Sequence, residues 1–389
     1  MNKDKYVFAQ MVEFLDNYKF LRIVKKYDGN KYVKHFTCWN QLLTLIFGQL
    51  CNRESLRDLI VALNAHQEKC YHLGVGKHVT RSNLAKANEN RDYRIFEDFA
   101  FYMISEARKK RINDIFKLNG NVYAFDSTTI DLCLKLFPWA NFRTHKGGIK
   151  IHTLYDVETQ VPAFIHITEA KINDVKAMDV IPYESGSFYV FDRANDYHRL
   201  YKIHMMDSFF VVRAKTNIKA KVLKWKRRLP KNIQSDCEIE LTGFYTQKSY
   251  PETIRLVRFW DEEDEREFIY LTNAKHIQAL QVAELYKNRW QVELFFKWLK
   301  QHLKIKKFWG TSENAVKIQV YSAIIAYCLV AIMQHDMKLD RSTYEVLQIL
   351  GISLTDKTPL RDLFSKTKFN DVKEQSGLDG SNLFSNYNF

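Results

Sequence analysis

Two aspartates and one glutamate stand out by where they fall in the chain. Asp126 closes the apolar run VYAF and Asp192 closes YVF, so each ends a strand that should lie inside a sheet. A carboxylate is costly to bury unpaired. Its recurrence at the same place on two strands points to a shared cation or a water-filled cleft, although a single strand-end aspartate also serves as a turn former or helix cap. The glutamate lies in HIQALQVAELYKNRWQVELFFKWLKQHLKIKKFW, where Tyr286, Arg289, Glu293 and Lys300 follow the spacing Y-x2-R-x3-E-x6-K. At about 100° per residue the four fall within roughly a 60° arc of one helix. One carboxylate between two cations on a single stripe exceeds what amphipathic pattern requires. The plain alternative is a surface ion pair between Arg289 and Glu293, worth ~0.2–0.5 kcal/mol. Two strand-end aspartates and a helical glutamate offer the hard oxygen donors that suit Mg²⁺ or Mn²⁺. A pair of such ions about 3.5–4 Å apart can activate a water or a 3′-hydroxyl and stabilise the leaving oxygen of a phosphodiester. Neighbouring cations then hold the phosphate oxygens that the metals do not reach.

The composition agrees with a polyanionic partner. Across 389 residues, 59 Lys and Arg face 45 Asp and Glu, a formal charge of +14. That excess favours nucleic acid or an acidic membrane surface, and composition does not choose between them. The length predicts two or three domains. With 13 Gly and 6 Pro, long flexible linkers and collagen-like repeats are excluded. The six cysteines, at 38, 51, 70, 133, 237 and 328, form no C-x-x-C pair and read as reduced thiols of a cytoplasmic protein. The first residues, MNKDKYVFAQMVEF, lack the apolar core of a signal peptide. The longest apolar run, Val320 to Met333, is too short to span a bilayer and predicts a buried core helix, so no membrane role is expected. GVGK at 74–77 lacks the upstream Gly and the following Ser or Thr of a phosphate-binding loop, so no nucleotide cofactor is expected.

The elements that must position the three carboxylates follow from periodicity. Residues 1–118 read as helical, with apolar residues at helical spacing from Trp39 to Leu50 and again from Leu56 to Leu63. Gly48 marks a kink or close packing, and Thr80 or Ser82 offers an N-cap to a second unit. These helices fit a DNA-reading pair or a plain packing bundle equally well. From about residue 120, NVYAFDSTTI, IKIHTLYDV, VPAFIHITEA, SFYVFDRAN and FFVVRAKTN read as strands, with helices in NDVKAMDVI and YHRLYKIHMM. The result is an α/β region with a mixed sheet. From 219 to 273 the pattern is β again, with IRLVRFW and FIYLTN joined by the acidic turn DEEDERE. No Gly or Pro occurs between Asn273 and Gly310, which predicts one long uninterrupted helix. A last helical region runs from about Ser312 to His335, and the polar tail after about Asp371 is expected to fray.

Weaker signals surround these. From Arg213 to Lys231 there are nine Lys or Arg and no Asp or Glu, a track for DNA backbone or an ordinary solvated face. Trp225 within it reads as a core residue rather than a base-stacking one. Lys297, Lys300, Lys304, Lys306 and Lys307 extend the basic character along the glutamate helix, while Trp290, Phe295, Phe296, Trp298 and Leu299 read as core. DEEDERE reads as a solvated turn. His145, His152 and His166 form no zinc pattern, and His152 reads as a structural histidine.

In these segments the sequence resembles the DDE transposases of bacterial insertion sequences, in the group with a Y-x2-R-x3-E-x6-K signature. The likeness spans roughly residues 80–335. It rests on AFDSTT around Asp126, GGIKIHTLYD at 147–156, FDRANDY around Asp192, FVVRAKTN at 210–217 and LYKNRWQVELFFKWLKQHLKIKKFWGTS at 285–312. The resemblance implies an RNase H-like mixed-sheet catalytic core in two parts, 119–218 and 274–340, split by a β-rich insertion at 219–273. A helical N-terminal domain at 1–118, with DNA end recognition as its candidate role, precedes it; a region at 341–389 follows. It implies that Asp126, Asp192 and Glu293 are catalytic and bind metal, with two Mg²⁺ ions for which Mn²⁺ substitutes. Tyr286, Arg289 and Lys300 take positions that engage DNA phosphates near the cleavage point, with Lys297 and Arg213 as further backbone contacts. One departure touches the second aspartate. Many members read D-R-G-Y there, whereas Asp192 and Arg193 are followed by Ala194, Asn195 and Asp196, a D-R-x-x-D version that also occurs in the group. The implied activity is metal-dependent cleavage at the element ends and transfer of the 3′-hydroxyl into target double-stranded DNA, by cut-and-paste, from a homodimer on paired ends. Two rivals remain: a nuclease of the same fold that does not join strands, and an inactive DNA-binding regulator, against which the presence of all three acidic residues counts.

Overall fold

Aromatic and β-branched runs between residues 122 and 272 pair into a sheet of ten strands. The structure is a computed structural model that describes residues 4–76, 79–111, 116–143, 146–193, 196–215, 217–302, 307–341 and 343–365. The polar tail, Lys77, His145, Ala194, Asn195, Lys304, Lys306 and the side chain of Trp298 lie outside the described residues. The strands are β1 (Val122–Leu132), β2 (Asn141–Arg143), β3 (Lys146–Asp156), β4 (Val161–Glu169), β5 (Phe188–Arg193), β6 (Phe209–Arg213), β7 (Ala220–Trp225), β8 (Ile233–Leu241), β9 (Ile254–Asp261) and β10 (Arg266–Thr272). Their order is β2-β3-β1-β5-β6-β10-β9-β8-β7, with β4 also paired to β3. β5 is parallel to both β1 and β6. The other pairs are antiparallel. This is the mixed sheet expected of an RNase H-like core behind a helical N-terminal region. The stretch 219–273 continues that sheet through β10 rather than forming one of its own.

Side chains two residues apart share a face of a strand, and both faces of the central strands are covered. Val122, Ala124, Val190 and Val211 face one core, which extends through the N-terminal helices and helix Glu313–Asp336. Tyr123, Phe125, Tyr189, Phe191 and Val212 face the other, under helix Tyr197–Met205. Helix Glu313–Asp336 has 24 residues, so it is longer than its apolar run suggested and meets the length and composition of a bilayer span. It is nevertheless a core helix, with 94% of its apolar window buried inside the molecule. Thr80 caps helix Arg81–Asn90 by accepting from the Asn83 amide. At Gly48 the expectation of close packing holds: a Cβ there would come within 2.6 Å of Trp309 and 2.9 Å of Leu59.

The long helix expected after Asn273 is broken. Helix Ala279–Lys287 ends in a tight turn at Asn288–Trp290 before helix Gln291–His302 begins. The reason is local. The Asn288 side chain donates to the Glu284 carbonyl at 2.9 Å and accepts from Gln291 at 2.7 Å, which favours a tightened turn without any Gly or Pro. The segment leading into this pair of helices is anchored by Arg255 on β9. Its guanidinium donates to both carboxylate oxygens of Asp236 on β8 (2.8 and 2.7 Å) and to the carbonyls of Ala274 (3.1 Å) and Ile277 (2.7 Å). Arg255 and Asp236 are both buried.

Breaking a buried pair by removing one partner costs roughly 3–5 kcal/mol. Arg255→Ala is expected near the lower end, because Lys226 remains 3.1 Å from Asp236. Urea unfolding of the variant beside the native chain measures this, and a loss under about 1 kcal/mol would show that the anchor is dispensable.

Candidate active site

The parallel pairing of β1 with β5 brings the two strand-end aspartates together. Val122, Tyr123 and Ala124 pair with Phe188, Tyr189 and Val190, and the same register carried two residues on sets Asp126 opposite Asp192. Neighbouring strands lie about 4.8 Å apart. On the other edge of β5 the register to β6 slips between Phe191 and Arg193, so Asp192 is the extra residue of a bulge. Bulges re-aim side chains in this way. Asp126 and Asp192 both line a cavity of about 150 Å³ together with Asp174, Asp196, Phe125 and Phe191.

The broken helix supplies the third carboxylate and two bridging side chains. Tyr286, just before the break, donates its hydroxyl to the Asp192 carboxylate and to the Asp192 carbonyl, each at 3.0 Å. Arg289, within the break, donates to Asp126 at 3.0 Å across 163 residues of sequence. Its other terminal nitrogen donates to Glu293 at 2.7 Å. Lys300 donates to the Thr129 carbonyl on β1 at 3.2 Å. Lys297, four residues beyond Glu293, is exposed. Arg213, at the end of β6, lies over the Phe268 ring and lines a second cavity, of about 520 Å³, with Asp192, Arg266, Tyr286 and Arg289.

The electrostatics of the carboxylates differ. Burial holds Asp126 above the usual carboxylate range, against the opposing pull of the Ser127 amide and Arg289, with Glu293 and Asp174 adding to the rise. Burial pushes the Tyr286 hydroxyl up to about 12, helped by Asp192, so it stays a neutral donor. Asp174 goes the other way. Burial opposes its charge, but His152, Ser127 and Lys150 together hold it below the usual range. His152 Nδ1 lies 3.1 Å from Asp174, its Nε2 lies 3.0 Å from Thr168 Oγ1, and its ring stacks on Phe125. It is buried, as expected of a structural histidine.

Among the described residues no three His, Cys, Asp or Glu side chains are gathered tightly enough to hold a metal ion. Asp126 and Glu293 are tied to Arg289, and Asp192 to Tyr286. The donor set still suits a hard divalent cation. Asp126 and Asp192 share the wall of the smaller cavity, and Glu293 is joined to Asp126 through Arg289.

All eight sequence-predicted site residues belong to the strands and helix that meet here. Six of them have contacts or a cavity wall in common, Lys300 reaches β1 at the Thr129 carbonyl, and Lys297 extends the same helix outward. Phe295, Phe296 and Leu299 are buried as expected. Trp290 and Trp225 correct the expectation of core packing: they are 50% and 59% exposed, one at the helix break and the other on an edge strand. The acidic turn is exposed but not merely solvated, since Asp261, Glu263 and Asp264 line the larger cavity and Glu263 pairs with Lys287 at 2.7 Å. Asp196 caps helix Tyr197–Met205 and binds Arg199. Asp174 and Lys150 were not singled out by sequence. Lys150 shares β3 with His152, and both reach Asp174, which comes from the helix after β4, so no fixed spacing marks the group. All six cysteines are free thiols.

Comparison with known proteins adds the following. Residues 118–329 match the family model described as a transposase DDE domain, and residues 3–76 match a domain of unknown function, DUF4372. The chain is 32% identical over 299 residues to a protein of Sinorhizobium fredii named as transposase y4zB, covering 72% of this chain and 78% of that one. It is 29% identical over 259 residues to a protein of Geobacillus stearothermophilus named as a transposase for insertion sequence element IS5377, covering 64% and 66%. A Synechocystis protein named as a transposase for element IS4SA is 28% identical over 317 residues, covering 79% and 84%.

Because the folded chain holds Asp126 above the usual carboxylate range, its ionised form weighs against folding at neutral pH and not in acid. Asp126→Asn is therefore expected to melt above the native chain near pH 7.5, with the difference shrinking as the pH falls and gone only below the ordinary aspartate value, by about pH 3. A lower melting temperature at neutral pH would mean that the ion pair with Arg289 outweighs desolvation.

Proposed function

Since the chain belongs to the family of insertion-sequence transposases built on a DDE domain, we propose that Asp126, Asp192 and Glu293 are its catalytic carboxylates. On this reading it cleaves DNA at the element ends and transfers the released 3′-hydroxyl into target DNA, moving the element by cut-and-paste. DNA is thus its partner. The observation that carries the reading is the convergence of the three acidic side chains from β1, β5 and helix Gln291–His302, tied together through Arg289 and Tyr286.

Two Mg²⁺ ions held by the three carboxylates, with Mn²⁺ able to substitute, would activate the attacking oxygen and neutralise the leaving one. The chain's own cations do the rest. Arg289, Lys300 and Arg213 hold phosphate oxygens around the scissile bond, and Lys297 continues the positive surface along the helix. Tyr286 fixes the Asp192 carboxylate from the side. In the first step a water oxygen bonds to phosphorus and the 3′-oxygen leaves as a hydroxyl. In the second, that hydroxyl bonds to a target phosphorus and displaces the target strand's 3′-oxygen, so one site serves both steps without a covalent protein intermediate. A homodimer on paired ends places one site at each end.

The basic track from Arg213 to Lys231 supports a wider contact. β7 within it is exposed along nearly its whole length at the end of the sheet. Its lysines follow the DNA backbone, and Trp225 is accessible to a base.

Two outcomes are expected. With a DNA fragment carrying the gene and its natural flanks, Glu293→Gln should lose end cleavage by more than about a hundredfold while keeping end binding, as suits a direct ligand rather than a supporting residue. Equal loss of both would remove the catalytic role. The combined variant Lys221→Ala, Lys224→Ala and Arg228→Ala should flatten the log–log dependence of DNA affinity on salt by roughly 2–3. An unchanged slope would make this edge an ordinary solvated face.

A further inference from the structure

Arg289 stands between two of the proposed catalytic carboxylates. Its terminal nitrogens lie 3.0 Å from Asp126 Oδ2 and 2.7 Å from Glu293 Oε1, so both are committed. The side chain is 14% exposed, and its buried Nε has no hydrogen-bond acceptor. On the reading above, Asp126 and Glu293 are also ligands of a divalent cation. A guanidinium and a doubly charged ion compete for those carboxylate lone pairs and repel each other. Arg289 also lines the cavity of about 520 Å³ on the side of β9 and β10. There Lys287 and Arg266 are paired with Glu263 and Asp264 of the acidic turn, while Arg213 lies over the Phe268 ring and Arg289 reaches the cavity wall from its two carboxylates.

We propose that Arg289 makes cation binding and DNA binding depend on each other. A DNA phosphate entering the larger cavity draws the guanidinium away from Asp126 and Glu293 and opens them to the divalent ion. A divalent ion at the carboxylates, in turn, releases Arg289 toward DNA. The coupling is reciprocal by thermodynamic necessity, and couplings of this kind change affinity by about 5–150-fold. The chain thereby keeps Asp126 and Glu293 bridged by a cation while DNA is absent. The inference rests on the proposed metal-binding role of the carboxylates.

The test uses the full chain and two titrations. The first follows Mn²⁺ binding without DNA, by the electron paramagnetic resonance of free Mn²⁺, in the native protein, Arg289→Gln, Arg289→Lys, Asp126→Asn and Glu293→Gln. Arg289→Gln is expected to bind Mn²⁺ about tenfold more tightly than native, and Arg289→Lys to fall between, because lysine holds one carboxylate at a time. The second follows a fluorescently labelled 30-base-pair duplex by anisotropy at fixed ionic strength, with and without Ca²⁺. Ca²⁺ should tighten duplex binding at least fivefold in the native chain and clearly less in Arg289→Gln, where only direct contact between ion and phosphate remains. Mn²⁺ affinity equal to or below native in Arg289→Gln, or Ca²⁺ coupling as large in it as in the native chain, overturns the inference and leaves the metal site standing. Mn²⁺ binding that Asp126→Asn and Glu293→Gln do not weaken overturns the metal site itself, and the coupling with it.

Discussion

Carboxylates brought together at the end of a sheet repel one another and resist burial, and the surroundings of this site are arranged against that cost. The parallel register of β1 and β5 puts Asp126 and Asp192 on adjacent strand ends. Glu293 then has to approach from a different element. Tyr286, Arg289 and Glu293 meet the two strands in sequence order: the tyrosine reaches β5, the arginine reaches β1, and the glutamate shares the arginine. The turn at Asn288–Trp290 falls between the first and last of these contacts. The backbone stays right-handed helical through that turn, so the three side chains remain close in sequence and together reach two adjacent strands.

The rest of the molecule fixes that helix and those strands relative to each other. Arg255 ties the insertion strands β8 and β9 to the carbonyls just before helix Ala279–Lys287, so the insertion helps hold the start of the helix pair. On the other side, Arg108 at the end of helix Arg94–Lys110 donates to the buried carboxylate of Asp156 on β3 and to the hydroxyl of Tyr123 on β1. Tyr123 in turn donates to Glu184 just before β5. The three site-bearing elements are thus braced by polar contacts from both the N-terminal helices and the insertion. The hydrophobic core shared by the N-terminal helices and helix Glu313–Asp336 fills the space beneath.

What was legible in the sequence was what local pattern encodes. Strand-period runs ending in aspartate located β1 and β5, and the Y-x2-R-x3-E-x6-K spacing located the facing helix. What escaped depended on contacts between distant segments. The helix break turns on one asparagine side chain, and helix propensity is silent about it. The bulge at Asp192 is visible only once β6 is paired beside it. Joining of the insertion to the core sheet rests on β6 with β10, a long-range pairing. Trp225 and Trp290 misled because an aromatic side chain is usually buried. Whether a given one is buried depends on what the fold places over it, and here one sits at a sheet edge and the other beside a cavity. Asp174 and His152 belong to elements brought together only by the sheet.

That sheet edge closes the physical account. An exposed strand with unpaired backbone groups invites another chain, and lysines along it discourage such pairing by repulsion. β7 carries Lys221 and Lys224 between Val222, Leu223 and Trp225, so it joins apolar surface with a charge that disfavours a second copy of itself. The same charge favours a polyanion. From Arg213 on β6, beside the carboxylates, to β7 the sheet order runs through β10, β9 and β8. Four strand spacings amount to about 19 Å, which is five or six base pairs of duplex at about 3.4 Å each. On the proposed reading, the feature that keeps the edge from self-association therefore lies about half a helical turn of DNA from the reacting phosphate, and one set of lysines answers both demands.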